Sequence, residues 1–167
     1  KLRLPILSIV KGTVFEQFCS GETLSESLDT VKKLYDKNVK SYLHYSVEGL
    51  ENESSYNLSL NEVLKSIDFV AENKILDFTV FKPTALASSQ ILHKVSLKET
   101  LNESEEIQYD KVKERFNKIC HLAYIKKVKI LVDAEESWIQ DAIDQLVLNM
   151  MIKYNKEEPI VYNTSQM

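Results

Sequence analysis

The chain has 167 residues, 44% of them hydrophobic and 28% charged, which is enough apolar material for one core. Its 21 basic and 25 acidic residues leave a net charge of -4 and are interleaved along the sequence. This pattern describes solvated helix faces and excludes the basic footprint of a nucleic-acid binder. A run of about 18 apolar residues, the minimum for a membrane-spanning helix, does not occur.

The start, Lys1-Leu-Arg-Leu-Pro-Ile-Leu7, has neither the apolar core nor the small-residue cleavage site of a signal peptide. The absence of an initiator methionine is read as the mark of a piece of something longer. Thr23 with Glu26 has the spacing of a capping box, and Leu24, Leu28, Val31 and Leu34 follow at helical intervals, so a helix is expected to end near Asn38. Val39 to Tyr45 has strand composition. Ser59 and Glu62 repeat the box before Leu60, Val63, Leu64, Ile67 and Val70, which predicts a second helix.

Ile75 to Phe81 reads as the next strand, stopped at Pro83. A polar stretch from Ser96 to Glu106 precedes a helix with Val112, Phe116, Ile119, Cys120 and Ala123 in register. Val128 to Val132 is the third strand. Ser137 is the expected cap of a last helix carrying Ile139, Ala142, Ile143, Leu146, Val147 and Met150, and Pro159 to Tyr162 closes the series as a fourth strand.

Short apolar strands alternating with amphipathic helices predict a parallel sheet. The turn after Tyr45, Ser-Val-Glu-Gly-Leu-Glu, lacks the Gly-rich fingerprint of an open dinucleotide-binding sheet. An α/β chain of the (β/α)8 TIM-like barrel type is therefore expected, represented by roughly its first four βα units after an N-terminal helix. Residues 1–38 form the leading segment and 39–167 the strands and intervening helices. A whole barrel takes about 250 residues.

Cys120 reads as a small buried hydrophobe. Without a Cys-x-x-Cys pair, and with His44, His93 and His121 scattered, no metal site is expected. The cysteine usage fits a reducing cytoplasmic compartment.

In such a barrel the C-terminal ends of the strands carry the chemistry. His44 then Glu48, Lys82, Asp133 then Glu135 and Glu136, and Asn163 then Gln166 stand at those four ends. Each has a bland alternative. His44 is read as a packing residue, Lys82 as a solvated loop lysine were it not for the proline that restricts its backbone, and Glu135 and Glu136 as charges favoured near a helix N-terminus. Asp133 could cap the following helix, although Ser137 already stands where that cap is needed, and Trp138 is read as packing. These patterns reach a mixed-charge barrel mouth and no particular reaction.

Several segments, in order, resemble the proline dehydrogenase family. They are Phe18-Cys-Ser-Gly-Glu-Thr23, Leu43-His-Tyr-Ser-Val-Glu-Gly49, Val80-Phe-Lys-Pro-Thr-Ala-Leu86, Ile130-Leu-Val-Asp-Ala-Glu-Glu-Ser-Trp-Ile-Gln140 and Ile160-Val-Tyr-Asn-Thr-Ser-Gln-Met167. The resemblance implies an FAD-containing barrel that oxidises L-proline to Δ1-pyrroline-5-carboxylate and passes electrons to a quinone. By the same resemblance Lys82 would bind the substrate carboxylate, and Asp133 would be the catalytic residue beside flavin and substrate. Ala134 and Asn163 would contact the cofactor, and Glu48 would form a gate ion pair near the mouth. The implied localisation is cytoplasmic, with peripheral association at the inner membrane allowed in the full-length protein. His44 stands where the family has aspartate, and Ser165 where it has an aromatic. The fragment alone is expected to bind FAD weakly and turn over little proline, because the family's substrate-binding arginines belong to the second half. Two other readings use the same residues: a Schiff-base enzyme built on Lys82, and a non-catalytic barrel remnant serving as a scaffold.

Overall fold

The computed structural model describes residues 13, 15, 19–21, 23–44 and 51–166. The chain divides into two compact units, Lys1–Ser41 and Tyr42–Met167.

In the first unit, helix α1 (Leu24–Tyr35) is capped as the sequence predicts, with Thr23 Oγ1 accepting from the Glu26 N–H at 3.2 Å. Ser20 Oγ donates to Ser27 Oγ at 2.9 Å, and Ser27 Oγ donates to the Thr23 carbonyl at 3.0 Å. These bonds draw the preceding segment onto the first helical turn. Gly21 is required there, because a Cβ at this position would lie 2.7 Å from Glu26 Cβ and 3.0 Å from the Ser27 nitrogen. The helix ends through Asn38, whose φ of 61° is the left-handed conformation that asparagine tolerates better than most residues.

The second unit is built on a four-stranded sheet in the order β1-β2-β3-β4, in which β1 (Ser41–His44) begins at the unit boundary. It continues with α2 (Glu53–Glu72), β2 (Leu76–Phe81), a 3₁₀ turn (Pro83–Ala85), α3 (Ser89–Ser96), α4 (Glu103–Lys126), β3 (Lys129–Val132), α5 (Ser137–Tyr154) and β4 (Val161–Asn163). β2 pairs parallel with β3, and β3 with β4.

The two faces of the sheet differ, and the strand order bears on which parallel architecture this is. On one face Thr79, Phe81, Ile130, Val132 and Val161 are at most 1% exposed. Phe81 meets Phe116 of α4 edge-on at 5.3 Å, which identifies this as the helix-covered side. On the other face Leu76 and Val80 are buried, while Phe78, Leu131 and Tyr162 are only partly buried. Phe78 packs edge-on against Tyr162 at 5.2 Å, with the Lys129 ammonium 5.4 Å over its ring. A doubly wound sheet reverses its strand order at a switch point. Strands in sequential order, with α4 packed on one face, fit the arrangement of a TIM-like barrel.

Four local expectations need correction. α2 starts at Glu53, with Asn52 Oδ1 accepting from the Ser55 N–H, and Ser59 lies buried inside the helix. α4 starts at Glu103 under a reciprocal Asn102–Glu105 capping box, within the stretch expected to be loop. Ser137 is the first helical residue of α5, and the cap position is Glu136, which makes no side-chain cap bond. The turn after Pro83 and the short helix α3 were not expected at all. Cys120 is buried as expected, and burial pushes its thiol up to about 12.

Candidate active site

Parallel register builds the site. Phe81 is level with Val132 and Asn163, and the Asp133 N–H donates to the Phe81 carbonyl at 3.0 Å. Lys82 keeps extended dihedrals, φ -91° and ψ 129°, so the two-residue alternation of β2 continues through it. Phe81 faces the helices, and Lys82 therefore faces the opposite side, with Asp133 beside it at the same level of the rim.

His44 ends β1 at this rim, and its buried Nε2 has no hydrogen-bond partner among the described residues. Burial holds its imidazole below the ordinary 6.5, Asp133 opposes that shift, Lys82 reinforces it, and Glu135 opposes it. The charges of Asp133, Lys82 and Glu135 thus all reach His44 across three strand ends. The unfolded chain takes up a proton at His44 more readily than the folded one. His44 therefore costs no stability above pH 6.5 and costs stability as the pH falls below it. Between about pH 7.5 and 5.5, His44→Asn should flatten the fall in thermal midpoint seen in the parent. Equal slopes for the two proteins would show that His44 contributes nothing to it.

Asp133 does not cap a helix, since its Oδ1 accepts from the N–H of Ala134 at 3.1 Å. The Glu135 carboxylate accepts from the Thr84 N–H at 3.2 Å and from Thr84 Oγ1 at 2.7 Å, and the Glu135 N–H donates to Gln140 Oε1 at 2.9 Å. Glu136 is exposed, as is Gln166.

Asn163 is placed differently from its expected partners. Its register with Phe81 and Val132 turns it toward the helices, and its amide nitrogen donates to Asp144 of α5 at 2.8 Å. Glu48 lies outside the described residues. The structure therefore brings His44, Lys82, Asp133 and Glu135 together and sets the Asn163 amide against α5.

Two further residues escaped the sequence reading. Thr84 stood unnoticed beyond Lys82-Pro83. Arg115 is buried, donating to the Leu86 carbonyl at 3.0 Å and to Glu53 at 2.7 Å, with its guanidinium 5.2 Å from the Tyr56 ring centre. A signal for Arg115 existed, because it falls within the apolar stripe Val112, Phe116, Ile119. Among the described residues, no helix is long and apolar enough to cross a membrane.

A parallel sheet with a cation, carboxylates and an imidazole at its C-terminal rim is consistent with part of a TIM-like barrel. The sequence profile of the family described as "Proline dehydrogenase" matches residues 27–167. Proline dehydrogenase 1, mitochondrial, of Dictyostelium discoideum is 31% identical over 203 residues, a match covering 99% of this chain and 36% of that protein. The carbapenem antibiotics biosynthesis protein CarD of Pectobacterium carotovorum subsp. carotovorum is 30% identical, over 96% of this chain and 42% of that one. Among solved structures, proline utilization A (PutA) of Bdellovibrio bacteriovorus shares the fold, with a TM-score of 0.68 at 17% identity over 87% of this chain and 16% of that one. The chain belongs to the proline dehydrogenase family. It spans well under half the length of these relatives. The family implies a flavin cofactor.

Proposed function

We propose that this chain is the N-terminal part of a single barrel domain that oxidises L-proline to Δ1-pyrroline-5-carboxylate with FAD, delivering the electrons to a quinone. One observation carries the reading: Lys82 and Asp133 leave adjacent parallel strands at one level of the rim, joined by the bond from the Asp133 N–H to the Phe81 carbonyl. Residues 1–38 are the leading segment of that domain, and 39–167 supply its first four strands.

The donor set suits a flavin. Partly exposed Phe78, Leu131 and Tyr162 offer an apolar floor, and charged groups stand above it at the rim. Asp133 and the backbone of Ala134 would hold the cofactor, together with Asn163 once its amide leaves Asp144. When bound, the flavin supplies the two-electron acceptor that no side chain provides. The protein's part is to bind and orient. The Lys82 ammonium pairs with the substrate carboxylate and fixes the ring's pose. The Asp133 carboxylate stands beside the Lys82 ammonium at the mouth, and Glu48 pairs with a cation there as a gate. The reading places the full-length protein in the cytoplasm, associating peripherally with the inner membrane where quinones dissolve.

The test is the visible spectrum of the full-length protein. It should show a bound flavin whose absorbance bleaches on anaerobic addition of L-proline and returns with a soluble quinone. A purified protein that carries no flavin, or whose flavin ignores proline, would reject the proposal.

A further inference from the structure

Lys82 and Asp133 are matched at the rim, and a second matched pair lies two residues beyond them on both strands. Thr84 follows Lys82 by two positions and Glu135 follows Asp133 by two, and the carboxylate of one takes both donors of the other on a single oxygen, at 3.2 and 2.7 Å. Both ends of this bridge are anchored. Thr84 sits in the 3₁₀ turn that begins directly after Lys82, and Pro83 in that turn is buried. The Leu86 carbonyl just beyond the turn is held by Arg115. On the other side, the Glu135 N–H is bonded to Gln140 of α5. An anion near a helix N-terminus would explain a carboxylate at position 135, but not one turned back across 51 residues of sequence to clasp the neighbouring strand's loop.

We infer that Glu135 is a positioning residue: its bridge to Thr84 locks the loop after β3 to the turn after β2, and so sets the separation of the Lys82 ammonium and the Asp133 carboxylate. The inference rests on the proline-oxidising reading given above. A cation that binds the substrate and a carboxylate that holds the cofactor need a fixed spacing, and a shift of about 1 Å in such a site can cost up to about a hundredfold. The backbone ladder between these strands ends with the bond from the Asp133 N–H to the Phe81 carbonyl, and the segments beyond it have no further ladder partner in the paired register. A side-chain clasp just past the functional residues restores that rigidity.

The test uses the full-length, flavin-loaded protein and the variants Glu135→Ala and Thr84→Val. Each should raise KM for proline roughly tenfold, with a smaller fall in kcat. Each should weaken a non-oxidisable five-membered-ring carboxylate analogue by the same factor, measured by calorimetry. Glu135→Gln, which keeps an acceptor oxygen, and Thr84→Ser, which keeps the hydroxyl, should recover most of the loss. The double variant Glu135→Ala/Thr84→Val should be no worse than the worse single, because both remove one contact. Unchanged KM and analogue affinity in both singles, or losses that multiply in the double, would overturn the role. Thr84→Val deletes one donor and keeps the backbone N–H, so it carries the same test if Glu135→Ala does not fold. A parent whose flavin proline does not reduce would reject the functional reading and this inference together. A parent that is reduced while the variants bind normally would reject Glu135 alone.

Discussion

Replacing Lys82 with methionine in the full-length protein is expected to weaken proline binding by about 10- to 100-fold while the flavin stays bound. A hydrogen bond to a charged group is worth about 1.5–3 kcal/mol, and about 1.4 kcal/mol corresponds to tenfold in affinity. Methionine keeps an unbranched stem of similar length, so the packing around the extended backbone of residue 82, between buried Phe81 and buried Pro83, should survive. Lys82→Arg should restore binding only in part, because a planar fork does not occupy the place of a point charge. The measurements are KM, the affinity of the same carboxylate analogue, and flavin content. An unchanged KM with flavin retained would take the substrate away from this residue. Borohydride trapping of a carbonyl compound on Lys82 would move the site to Schiff-base chemistry instead.

The second large effect concerns stability, and its order runs against intuition. Glu53→Ala should cost more than Arg115→Met, although the arginine is the buried partner, at 5% side-chain exposure against 45%. Removing Glu53 leaves the largely buried guanidinium, among the described residues, with the Leu86 carbonyl and the Tyr56 ring, an under-compensated charge that costs about 3 kcal/mol. Removing Arg115 leaves a half-exposed carboxylate that water and Lys111, 3.5 Å away, can serve. The main loss is then one buried carbonyl's partner, about 1–2 kcal/mol. The double variant should resemble Arg115→Met alone. Urea unfolding of the purified proteins gives the order, and Arg115→Met costing more than Glu53→Ala would contradict it.

The same pair gives a direction with pH. Burial pushes the Glu53 carboxyl up, but the hydrogen bond and charge of Arg115, helped by Lys111, win and hold it below its ordinary 4.5. A carboxylate held low in the fold contributes its stability above that value and loses it as the pH drops beneath it.

Much of the fold was legible because one helix face repeats every three or four residues and a strand every two. The stripe Val112, Phe116, Ile119, Cys120, Ala123 and the stripe Ile139, Ala142, Ile143, Leu146, Val147 are all buried in the structure. The errors have local causes. The Ser59–Glu62 spacing of a capping box is also one helical turn, so the motif arises inside a helix, and burial of Tyr56 extends α2 back to Asn52. α3 buries only Ile91 and Leu92, too few for a periodic signal. Asn102 and Glu105 carried a readable box that the run of glutamates obscured.

What the amino-acid order determined by itself was the alternation of strand and helix, and the chemical character of each strand's end. His44, Lys82, Asp133 and Asn163 are polar wherever the chain goes. Only the tertiary structure decided which of them meet. Parallel register sets Lys82 beside Asp133 and Thr84 against Glu135, and the two-residue alternation that turns Lys82 away from the helices turns Asn163 toward Asp144. Register is a property of two paired strands, fixed by the packing of both against the same helices, and neither strand's sequence contains it alone.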